Sequence, residues 1–159
     1  MDDTPQPGDR RPARRLERPP GERYAVPGPG GAEPPPPAGP VRGILLASGV
    51  GLLGSAASIV LFAVASVSAG LLVVAGLTGL FVGQALRAGA GSTLASGLRR
   101  GLAVSAALES VVAAQIGIWL YALSEGGALG LIDYLAQAFG PLVPLQLGVA
   151  ALVAWWSAR

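Results

Sequence analysis

The chain contains no cysteine, no histidine and no lysine, and only 13% of its 159 residues are charged. Without Cys there is no thiol nucleophile and no disulfide. Without Cys and His, most zinc sites and haem ligation by His are excluded, and so is the commonest general base. Soluble domains carry about 25% charged residues. Here the charges are also segregated. Residues 1–42 hold seven of the eleven Arg and six of the nine acids, and the remaining 117 residues hold four Arg and three acids. A water-soluble fold of that remainder would show almost no charge to solvent, so a soluble globular domain is rejected. The net charge of +2 and the mixed signs of the tail give no clustered basic patch, so no nucleic-acid partner is expected. Arg-only basic usage with abundant Ala and Gly is the composition of a GC-rich bacterial genome, which is an association only.

What the chain does have is proline at one end and long apolar runs after it. Residues 1–41 contain twelve of the fourteen Pro, including Pro34 to Pro37 in a row. Leu16, Tyr24 and Val26 are nearly its only large apolar side chains. Such a stretch cannot bury enough apolar area to offset its backbone entropy, which predicts a disordered cytoplasmic tail of polyproline II character. Its extended limit is on the order of 120 Å. Pro34 to Pro37 and Pro37 to Pro40 have PxxP spacing, readable as a docking arm or as a passive linker. The charged region and the apolar run after it are both too long for a signal peptide.

Residues 42–159 are expected to form an all-α integral membrane domain: four transmembrane helices in two hairpins, with a short interfacial helix between spans 3 and 4. From Ile44 to Leu86 no residue is charged. A single helix of that length would be about 65 Å long, roughly twice the hydrocarbon core, so the run must fold back. The break is placed at Ser66–Gly70, giving spans near 43–65 and 70–87. Residues 88–100 read as a loop, the third span as 101–123, and Ser124–Gly127 as a break. Residues 128–139 have helical period and are too short to cross, which fits an interfacial helix. The fourth span runs from about 141 to 157, with Pro144 tolerated in its first turn.

Two small-residue faces follow from 100° per residue. Ala47, Gly51, Gly54, Ser58 and Ala65 lie together on the first span, and Gly76, Gly79 and Gly83 on the second. Helices in lipid approach closely across such faces. The two faces are expected to pack on each other as a hairpin, with an oligomerisation seam or a lipid-binding groove as the alternatives. Arg lies in the tail, at 87, 99 and 100, and at 159. Glu125 and Asp133 lie beyond the third span. The positive-inside rule then puts both termini in the cytoplasm of a multi-pass plasma (bacterial inner) membrane protein.

Glu109 is the only charge well inside an apolar span. An acid near the bilayer centre costs about 2.5 to 3.5 kcal/mol on insertion scales. The nine Leu, Ile and Val of the third span return about 3 to 5 kcal/mol, so Glu109 is expected to face protein and to need a partner. Ser105 lies one turn away on the same face, and Gln115 on another. Glu109 is readable as a proton or cation site, as an assembly contact, or as a packing device bonded to Ser55, Ser58 or Thr78. Gln115 is read as packing. No nucleophile–base pair, carboxylate pair, GxGxxG or Walker motif is present, so no enzyme activity, cofactor or metal is expected. Four spans, abundant Gly and one intramembrane Glu resemble in outline the proteolipid rotor subunits of rotary ATPases. Those carry polar cytoplasmic turns and their Glu in a different helix. Small multidrug transporters hold theirs in the first span, which has no acid here, and neither family is assigned.

Two functions remain. One is a non-enzymatic accessory, assembly or tethering subunit, whose partners are the bilayer and other membrane subunits or a second copy. The other is a small oligomeric transporter or channel using Glu109.

Overall fold

The computed structural model describes residues 37–65, 68–127 and 129–159. The tail with its PxxP spacings falls almost wholly outside these residues, as does the tip of the turn at 66–67. The described residues form five helices: α1 (Pro40–Ala65), α2 (Ser68–Ala90), α3 (Ser96–Ser124), α4 (Leu131–Ala138) and α5 (Leu142–Ser157). There is no strand among them. By length and composition, α1, α2 and α3 are each able to cross a membrane.

Several boundaries differ from the sequence expectation, each for a local reason. α1 begins at Pro40, inside the stretch assigned to the tail. Proline suits the first helical position because its fixed φ is helical and its missing N–H would be unpaired there anyway. The preceding Gly39 N–H donates to Gly89 O at 3.0 Å, which ties this end of α1 to the end of α2. α2 runs on through Arg87 to Ala90 and stops at Gly91, whose φ of 56° is the left-handed conformation that ends helices. α3 starts at Ser96, so Arg99 and Arg100 stand in its first turns rather than in the loop. Both make side-chain contacts that favour this: Arg99 Nε donates to Ala158 O at 2.9 Å, and the Arg100 guanidinium lies 5.4 Å from the centre of the Trp155 ring.

The expected interfacial helix is shorter than 128–139. It ends at Ala138, and Gly140 (φ 50°) followed by Pro141 turns the chain through 90° into α5. The corner is held from below. Phe139 is buried against Phe62 of α1 (ring centroids 5.4 Å apart) and Tyr134 (6.1 Å). At about 24 Å, α5 alone is shorter than a hydrocarbon core of about 30 Å.

In the bundle, α1 packs on α2 and α3, α5 packs on α2 and α3, and α2 meets α3 across the middle. The core is built largely of alanine: Ala47, Ala75, Ala103, Ala107, Ala150 and Ala154 are all buried, with Val82 and Leu86 among them. Small side chains bring the backbones close, which is how helices associate where no water is present to drive them together.

The glycine faces do not pack as expected. A side chain on Gly79 would strike the Ala150 carbonyl, and one on Gly83 would meet Ser157 and Ala154, so the α2 glycine face seats α5 rather than α1. Gly76 faces Val149 of α5 across a wider gap. On α1, Gly54 receives Thr78 of α2, but Gly51 receives Ser110 of α3. The close crossing of α1 on α2 is at Gly43 and Gly89 instead, where a Cβ on Gly89 would lie 2.5 Å from Gly43 Cα. A helix in a bundle has neighbours on two sides, and a small face does not say which neighbour takes it.

Candidate functional site

Charge is distributed by height in this bundle. All five arginines of the described residues (Arg42, Arg87, Arg99, Arg100 and Arg159) lie at the end where α1 and α3 begin and α2 and α5 finish. Glu125 follows α3 and Asp133 lies in α4, at the other end. Between the two ends stands one ionisable group, Glu109, within one residue of the midpoint of α3.

The wall around Glu109 is built by α1 and α3. Gly51 lets the two helices touch at Ser110. Ser55 Oγ donates across the contact to Ser110 O at 2.7 Å, with Gly51 O also within reach at 3.0 Å. Ser110 Oγ donates to Ala106 O at 2.8 Å. Beside this seam run two shallow cavities of about 220 and 140 Å³ that share Ser48, Ala106 and Glu109. Ser105 borders the smaller one, and its hydroxyl donates to Leu102 O at 3.1 Å.

Glu109 itself is exposed on the outer face of the bundle. The partner it is expected to need is not supplied by the described residues of its own chain. Nor does it bond the hydroxyls proposed for it. Ser55 and Ser58 donate to backbone carbonyls (Ser58 Oγ to Gly54 O at 3.0 Å), and Thr78 packs against Gly54 on the α2 side. Among the described residues no hydrogen bond or ion pair reaches the Glu109 carboxyl.

Gln115 lies apart from this groove. It is buried, and its amide donates to Gln146 Oε1 of α5 at 2.5 Å. The remaining Gln115 Oε1 and Gln146 Nε2 atoms are buried without partners. Sequence reasoning singled out Gln115 and missed Gln146, although each is the only side-chain amide of its apolar helix, a signal that identifies the pair. It also missed Ser48 of the Glu109 groove and the arginine contacts at the basic end.

No metal-holding group of His, Cys, Asp or Glu occurs among the described residues. Compared with models of known protein families, with curated proteins and with solved structures, the chain matches none.

Proposed function

We propose that the chain is a non-enzymatic, multi-pass protein of a bacterial plasma membrane, serving as an accessory, assembly or tethering subunit that docks through the Glu109 groove. The observation that carries this reading is the outward exposure of Glu109 at mid-height, with no partner among the described residues of its own chain. Facing hydrocarbon, a carboxyl at that height is costly. Facing a hydroxyl, amide or basic group on another helix, it becomes a specific contact.

The surroundings support membrane residence. Leu52, Leu53, Val60, Val64, Val73 and Leu152 are all more than half exposed, a surface suited to lipid and not to water. In this reading α1, α2 and α3 cross the bilayer. The bent pair α4–α5 makes the fourth crossing, with α4 lying along the interface. The arginine-bearing end faces the cytoplasm, together with both termini. A transport pathway has less support, because Glu109 opens to the outer face and no second ionisable group of the described residues shares its depth.

The test uses Glu109→Leu and Glu109→Gln in the full chain, with a single Cys introduced at Ser48 in the Cys-free background. Glu109→Leu is expected to insert normally and to lose the native-size complex together with the cross-link from position 48. Glu109→Gln retains both if the contact is a hydrogen bond and loses both if it is an ion pair. Proton uptake into vesicles holding only the purified chain, lost in Glu109→Gln, would overturn the assembly reading in favour of transport.

A further inference from the structure

On the side of the bundle away from Glu109, two large cavities meet on α2. One, about 670 Å³, lies between α1 and α2 and is apolar, lined by Leu53, Ala57, Val74, Leu77 and Phe81. The other, about 730 Å³, lies between α2 and α5 at the arginine-bearing end and is lined by Arg87, Arg159 and Trp156. Gln84 and Ala88 border both, and both are exposed, so the two hollows adjoin at the outer ridge of α2. The small side chain of Ala88 leaves that ridge low. Arg87 is held in place over the polar hollow, its Nη1 donating to Arg159 O at 3.2 Å.

We propose that these two adjoining hollows together bind one anionic phospholipid, which passes over Ala88. The phosphate lies against the Arg87 guanidinium in the hollow that Arg159 also lines, and an acyl chain follows the apolar hollow towards Val74. Three features select this occupant. First, a guanidinium presents a planar fork of N–H donors that matches a phosphate, and basic pockets between helices at a membrane face are suited to anionic headgroups. Second, from Arg87 to Val74 the groove descends about 20 Å along α2, enough to pass through one leaflet's apolar half of about 15 Å. Third, Trp156 stands at the polar mouth, at the level where indoles sit in a bilayer. The chain's own Pro-rich tail is a poor occupant, since it has few apolar side chains to offer the hollow.

The inference rests on membrane residence but not on the Glu109 contact. A chain that is not recovered with membranes refutes the former reading, whereas the experiment below uses chain already purified from membranes. Full-length protein in mild detergent is titrated with phosphatidylglycerol or phosphatidylcholine of identical acyl chains, and the retained lipid is counted by native mass spectrometry. One phosphatidylglycerol is expected to be retained in preference to phosphatidylcholine. Each of Arg87→Gln and Arg159→Gln is expected to weaken its retention about fivefold, the share one basic residue contributes at an anionic surface, leaving phosphatidylcholine unaffected. Ala57→Phe, which fills the apolar arm and leaves the arginine contacts alone, is expected to weaken retention of both lipids; it also keeps the test decisive if the Arg variants misfold.

Equal retention of the two lipids would overturn the proposal. So would an Arg42→Gln variant as weak as Arg87→Gln, which would mean diffuse surface charge. Displacement by millimolar inorganic phosphate would mean a free-phosphate site, and a protein helix cross-linked into the groove would mean a protein site.

Discussion

The Gln115 amide on α3 donates to Gln146 Oε1 on α5 at 2.5 Å, and the bond is buried in the bundle at both ends. It ties the two helices together within the core, apart from the Arg99 and Arg100 contacts that join them at the basic end. It also leaves one acceptor and one donor of the pair unpaired, so its net contribution is smaller than the short distance alone implies.

That arrangement predicts a particular pattern in a double-mutant cycle. Gln146→Leu alone leaves the Gln115 amide buried without its acceptor, and Gln115→Leu does the converse. Each single variant is expected to lower stability. The double variant is expected to recover, because it removes the unpaired atoms along with the bond. The coupling energy should fall near 0.6 to 1.7 kcal/mol, the range of interhelical hydrogen bonds within membranes. Thermal unfolding in detergent measures it, and strict additivity of the two losses would show that the amides do not act as a pair.

The glycine faces yield a second prediction, on α2 against α5. Gly79 sits directly on the Ala150 backbone carbonyl, so an added side chain has to push α5 away. Gly79→Val is expected to destabilise the bundle by about 1 to 3 kcal/mol, as overpacking does. Gly49 has nothing within 4 Å of a would-be Cβ. Gly49→Ala should be neutral or should stabilise by about 0.5 to 1 kcal/mol through helix propensity. Comparing the two variants in one melting series separates packing from backbone entropy.

Much of this architecture is legible in the sequence because it follows from one-dimensional features. A charge-free run too long for one crossing must turn, and Gly140–Pro141 must end a helix. The period of Leu131, Ile132 and Leu135 against Asp133 and Gln137 announces an amphipathic segment. What is not legible depends on which helix becomes whose neighbour. Gly76, Gly79 and Gly83 mark a close approach, but only the packed bundle assigns it to α5. Arg99 and Arg100 look like the end of a loop until Ala158 and Trp155 are brought beside them. Glu109 reads as a group that needs a protein partner, because an acid inside an apolar run is costly to leave alone, but the sequence does not say that α1 and α3 leave it on the outer face of the bundle.

Topology gives a third prediction. If the arginine-bearing end faces the cytoplasm, a single Cys at Gly126 or Asp133 labels with an impermeant thiol reagent added outside intact cells. One at Ser92, in the loop between α2 and α3, does not. The natural absence of Cys makes the background clean. Labelling at Ser92 from outside would invert the proposed orientation or change the number of crossings.

Arg99 allows the charge that orients the chain to be separated from the contacts that hold it. Its Nε donates to Ala158 O at 2.9 Å and its Nη1 to Gly91 O at 3.0 Å, so one guanidinium ties together the end of α5, the end of α2 and the start of α3. A guanidinium can do this because its donors point in fixed, divergent directions; an ammonium is a compact charge on a flexible stem and does not reproduce that fork. Arg99→Lys is therefore expected to keep the topology, since the positive charge remains, yet to lose stability. Hydrogen bonds from charged donors contribute about 1.5 to 3 kcal/mol each, and the exposure of this end places the loss at the lower part of that range. Arg99→Gln should lose stability to a similar degree and also weaken the charge bias that orients α3. Unfolding midpoints, together with protease cleavage within residues 91–95, report the clamp, and the thiol labelling at Ser92 and Gly126 reports orientation. An Arg99→Lys variant as stable as the parent would show that only charge matters at this position and that the two carbonyl contacts are incidental.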